Sequence, residues 1–203
     1  QIEKKNRVID FLKTKIKVIS AIVFISIFLI SILSWTKYKG DLKKTDLSEN
    51  YIQAKIMLSK KKPNEALNIL EKIIQEEDST YSILSLYLVI DQNLYKDDKV
   101  ILSYFDKVLS INSLQQEDLD LLKFKKAVFI SKDGNEEELL NLLNPIINSK
   151  SVWKTQSIKF LADFYYSRKE HNKADQYYST LLNLENSNID KNEIKRKIKT
   201  YKK

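Results

Sequence analysis

A single histidine, no cysteine and two isolated glycines leave this chain of 203 residues little with which to perform catalysis. His171 falls in the polar stretch Lys169-Glu170-His171-Asn172, where a solvated turn residue is expected rather than a metal ligand or general base. The lack of cysteine excludes disulfides, thiolate nucleophiles, cysteine-rich metal sites and lipidated cysteine. Gly40 and Gly134 stand alone, so no glycine-rich loop can cradle a phosphate. Carboxylates cluster as Glu76-Glu77-Asp78 and Glu136-Glu137-Glu138, which read as solvated helix ends rather than a spaced acid and base. The expectation is a protein that is not an enzyme, with no catalytic residue, no cofactor and no metal. Its chemistry has to be that of binding.

Ile83, Leu86 and Ile90, then Leu121, Phe124 and Val128, recur in steps of three and four, the spacing that lines one face of a helix. Lys159, Asp163 and Tyr166, with Tyr51, Lys55 and Gln156, fall on the corresponding face of flanking helices and would rim the apolar part with polar groups. These side chains form a candidate protein-binding groove, able to seat a hydrophobic segment of a partner. Helix amphipathicity alone does not separate an open groove from a buried core, and both readings stand at this point.

The register of that face comes from an internal repeat. Ala54, Val89, Ala127 and Ala162 are spaced 35, 38 and 35 residues apart. Twelve residues after each come Ala66, Ile101, Leu139 and Ala174, and four further on Leu70, Phe105, Leu143 and Tyr178. Small residues suit the first series because two helices approach closely only where a side chain is short. Turns fall at Lys60 to Asn64, Tyr95 to Asp98, Lys132 to Asn135 and Lys169 to Asn172, so each unit is a pair of helices. Pro145 should kink or end the second helix of the third unit before Ile146 and Ile147 pack. The pattern resembles the tetratricopeptide repeat, best in Ile158-x2-Leu161-Ala162-x2-Tyr165 with Ala174-x3-Tyr178, and implies an all-α solenoid of about four helix pairs. Family members that clamp a carboxylate carry Lys, Arg and Asn on the inner face; the apolar inner face here argues against that role.

Residues Val18 to Thr36 contain no formal charge. At ~1.5 Å per residue they span ~28 Å, close to the ~30 Å hydrocarbon core of a bilayer. Lys13, Lys15 and Lys17 flank one end, and Trp35, Lys37, Tyr38 and Lys39 the other, as interfacial anchors. A cleaved signal would have an apolar region of about 7 to 15 residues ending at a small-x-small site, and Ser34-Trp35-Thr36 is a poor one. Six basic residues precede the run and four follow it closely, which favours a cytoplasmic N-terminus. The chain's net charge of +8 is concentrated at its ends, with +6 in residues 1–40, +5 in 186–203 and −3 between. No nucleic-acid partner is expected from a body of that charge.

The resulting division is a basic cytoplasmic segment at 1–17, a transmembrane helix at 18–36, a linker at 37–46, repeats at 47–185 and a basic C-terminal capping helix at 186–203. The chain begins at Gln1 rather than methionine, so residues are expected before it. Lys4-Lys5-Asn6-Arg7 to Phe11-Leu12-Lys13 before the span and Ser79-Thr80-Tyr81-Ser82 at the second unit are similar to the bacterial family of the ancillary Sec translocon subunit. Leu142 to Ile147 with Val152-Trp153-Lys154 resembles its alphaproteobacterial variant. That resemblance implies a single-pass inner-membrane protein with periplasmic repeats, partnered by the translocon, a periplasmic chaperone or a secreted chain. The expected function is a membrane-anchored scaffold that binds polypeptides; the alternative is a structural assembly subunit of a larger membrane complex.

Overall fold

The computed structural model describes residues 2–133, 135–184 and 189–201. Among these residues there are nine α-helices and no strand. In chain order they are α1 (Ile2–Ser59), α2 (Pro63–Gln75), α3 (Tyr81–Asp91), α4 (Asp98–Leu109), α5 (Gln116–Ile130), α6 (Glu136–Ile147), α7 (Lys154–Ser167), α8 (His171–Asn183) and α9 (Lys191–Tyr201).

Helix α1 is unbroken for 58 residues. No proline interrupts it, and its one glycine, Gly40, lies where an added Cβ would meet nothing within 4 Å. Residues 37–46, expected as a linker, are therefore helical and continuous with both neighbours. Every residue from 20 to 46 is exposed, so the apolar run is not a core helix of the described body. It is long and apolar enough to cross a membrane. Three of its hydroxyls bond within the helix: Ser26 donates to the Ile22 carbonyl at 2.9 Å, Ser31 to Ile27 at 2.8 Å and Thr36 to Leu33 at 2.9 Å. Such back-bonding removes the cost of carrying these groups in apolar surroundings.

Past Asp46 the same helix enters the body and pairs with α2. The pairs α3 with α4, α5 with α6 and α7 with α8 follow, each packed on the one before. All twelve positions of the three residue series are buried; Ala54, Val89, Ala127 and Ala162 are wholly inaccessible. Leu47 to Leu122 form one apolar cluster and Ala127 to Ile194 a second, with Phe129 packed against both. Lys126 of α5 ties adjacent units, reaching Asp106 of α4 at 2.8 Å and Glu138 of α6 at 3.3 Å.

Three of the first helices end alike without glycine. Lys61, Asn93 and Lys169 adopt φ of 60°, 49° and 62°. Around Lys61, Lys62 N–H bonds the Met57 carbonyl at 3.0 Å and Lys61 N–H that of Leu58 at 2.9 Å; Asn93 and Lys169 repeat the pattern. This left-handed cap satisfies the terminal carbonyls but strains a residue bearing a Cβ. Some helix starts are capped by side chains. Asp97 accepts from Lys99 N–H, Asn135 from Glu138 N–H, and Asp78 from both Thr80 and Tyr81 N–H.

Pro145 does not end its helix as the sequence led us to expect. Helix α6 runs to Ile147 with Ile146 fully buried. The ring sits exposed in the last turn, where only one intrahelical bond is forfeited, and Asn148 N–H still reaches the Asn144 carbonyl at 3.1 Å. Residues 186–188 and 202–203 of the expected cap lie outside the described residues. Helix α9 packs on α8 with Ile194 at 2% exposure, and Lys191 donates to the Leu182 and Leu184 carbonyls.

Candidate functional site

The first helices of the four pairs supply the inner-face positions, and their burial differs sharply from unit to unit. On α3, Ile83 and Leu86 are buried at 8% and 0% exposure, whereas Ile90 is half-buried. On α5, Leu121 and Phe124 are half-buried, and Val128 is 38% exposed. Phe124 is held by aromatic neighbours, stacked on Trp153 at 6.1 Å and edge-on to Phe160 at 5.9 Å.

On α7 the polar residues face one another. Lys159 bonds Asp163 at 2.5 Å, and the Asp163 carboxylate also accepts from Tyr178 at 2.6 Å and from Lys197 of α9 at 2.8 Å. Burial alone would raise the Asp163 pKa, but these three donors more than offset it and hold the carboxyl below its ordinary value. Tyr166 packs against Tyr178 and His171, with ring centroids 6.4 and 6.1 Å away. His171 is the first residue of α8. The Lys159, Asp163 and Tyr166 set is thus also a junction between α7, α8 and α9.

The structure brings Ile90 and Val128 together across the α3–α5 junction. They line a pocket of about 230 Å³ with Tyr87, Phe105 and Phe129, bordered by Asp91, Lys125 and Lys132. Lys125 Nζ lies 5.5 Å from the Tyr87 ring and Lys132 Nζ 5.1 Å from the Phe129 ring. The Tyr87 hydroxyl is closed to solvent and has no hydrogen-bond partner among the described residues. Burial, with a smaller contribution from the Asp118 charge, raises its pKa. Sequence register missed Tyr87, Lys125, Phe129 and Lys132, which flank the inner-face positions by one to four residues; the aromatic pair Tyr87 and Phe129 was the available signal. Through Lys132 this pocket adjoins a more polar hollow of about 390 Å³ bordered by Asp163 and Arg168. Among the described residues no group of three or more His, Asp or Glu side chains is placed to hold a metal ion.

Four stacked helix pairs with small residues at the crossings, closed by a ninth helix, define a tetratricopeptide-like α-solenoid. Two crystal structures of a kinesin light chain-like protein from Podosopora anserina with nearly identical TPR-like repeats share this fold, one of them of a substituted variant. Each has a TM-score of 0.53 and 14% sequence identity over 77% of this chain; the overlap covers 86% of one chain and 85% of the other. At that identity the likeness is one of fold. No family model matches the sequence, and no curated protein is detectably similar to it.

Proposed function

We propose that this protein is a membrane-anchored scaffold that holds polypeptide partners on the inner face of its repeats, ancillary to the bacterial Sec translocon, with the repeats in the periplasm. The observation that carries the reading is α1: one bare apolar helix, long enough to span a bilayer, passes without a break into the first repeat. A solenoid so attached keeps its binding surface at the bilayer and raises its local concentration there. The basic N-terminal flank and the resemblance to the translocon family support the orientation. The fold supports polypeptide binding, since helical repeats present extended surfaces to protein partners.

Two measurements test this. Protease added to intact spheroplasts should digest the repeats; protection of the repeats places them in the cytoplasm and ends the periplasmic reading. A photo-crosslinking residue at Val128 should capture polypeptide adducts, identified as translocon, chaperone or secreted chain. The same residue at Asn141, exposed on α6, should capture few. Equal capture at both positions removes the inner face as the binding surface.

A further inference from the structure

The pocket between α3 and α5 carries more information than a generic inner face. Its walls differ in charge: α5 and the turn after it contribute Lys125 and Lys132, while α3 contributes Asp91. Each lysine is laid over an aromatic ring, and neither forms an ion pair among the described residues. Two cations beside an apolar floor thus retain most of their capacity for a carboxylate, and charge-assisted bonds are stronger than neutral ones. The Tyr87 ring, which carries Lys125, is part of the apolar lining. A volume of about 230 Å³ accommodates one large side chain rather than the face of a helix.

We infer that this pocket receives a single bulky apolar side chain of a partner polypeptide, next to a carboxylate that Lys125 and Lys132 bind. The inference rests on the inner-face reading above and names the partner's chemistry. The apolar side chain supplies burial against Ile90, Val128 and Phe129. The neighbouring carboxylate meets the two lysines, and Asp91 on the opposite wall disfavours a second acidic group there. Selectivity therefore comes from charge on one wall and from size at the floor.

The test uses the purified full chain in lipid nanodiscs and three fluorescent dodecapeptides in anisotropy titrations. One carries Phe with adjacent Glu, a second Phe with adjacent Lys, and a third Ala with adjacent Glu. The first should bind at least about tenfold more tightly than the other two. Lys125→Gln combined with Lys132→Gln should weaken it about tenfold and flatten its salt dependence, while Asp91→Asn should strengthen it. Val128→Asp should abolish binding with the melting curve retained, since this side chain is already 38% exposed. Equal affinity for the Glu- and Lys-flanked peptides overturns the inference, as does binding that survives Val128→Asp. If Val128 captures polypeptides in cells yet the first peptide gains no preference, the inner-face reading stands and this inference alone falls. If neither capture nor preference is seen, both fall.

Discussion

On α3 and α7 the same register positions meet opposite fates. Leu86 and Lys159 each lie three residues before the small crossing residue, and Ile90 and Asp163 one residue after it. Leu86 is fully buried and Ile90 half-buried, so the second unit closes over its own inner face up to the pocket edge. Lys159 and Asp163 stay accessible enough to gather Tyr178 and Lys197, and through Lys197 they fasten α9 across the end of the solenoid. An apolar pair at these positions is consumed by packing. A polar pair remains available to recruit the next element.

The sharpest way to break this contrast is Leu86→Asp, which places an unpaired charge in a site closed to solvent. A loss of about 4 kcal/mol or more is expected, seen as disappearance of the cooperative thermal transition by circular dichroism. An unchanged transition would show that α3 can open its inner face. Asp163→Ala should cost about 2 to 3 kcal/mol, because Lys159, Tyr178 and Lys197 lose a shared acceptor. Amide exchange in α9 should accelerate more than in α3; unaltered α9 exchange rules out the latch. The same latch depends on pH. A carboxyl whose folded pKa is depressed contributes stability that is present above its unfolded pKa and lost as pH falls through the folded value. Acidification below about pH 4 should therefore loosen α9 before the α3 core, as followed by hydrogen exchange.

Smaller effects sharpen the comparison. Lys169→Gly relieves a left-handed cap at φ 62° and should stabilise the fourth unit by about 0.5 to 1 kcal/mol, raising its melting temperature. Gly40→Ala should leave the unfolding of the repeats unchanged within about 0.5 kcal/mol, because the new Cβ meets nothing and the site lies outside the packed body.

Much of this organisation was legible in the sequence because it follows from spacing. The series through Ala54, Ala66 and Leu70 fixed which side chains meet at the helix crossings, and the 3.6-residue period fixed which face turns inward. Depth was not legible, since the period is the same for Leu86 in the core and Val128 at the surface. The pocket residues Tyr87 and Lys125 come from different helices, α3 and α5, and no single-helix pattern shows that they meet. Residues 37–46, expected as a linker between the apolar run and the repeats, are helical. Polarity there reflects exposure on all sides, and with no proline present the helix simply continues. Pro145 misled for a related reason: a breaker in a final turn has little left to break.

Helix α1 also has a rotational consequence. Lys43 binds the Glu76 carboxylate at 2.9 Å and its backbone carbonyl at 3.0 Å, so the repeats are clasped to α1 only seven residues beyond Thr36. An unbroken helix turns by about 100° per residue. The azimuth of the pocket about the helix axis is therefore geared to the apolar segment. One residue inserted beside Gly40 would swing the inner face through about 100°, whereas seven would return it to within about 20° and lift it by about 10 Å. The helix thus acts as a keyed shaft, and residue count between the apolar run and the repeats sets the compass bearing of the inner face.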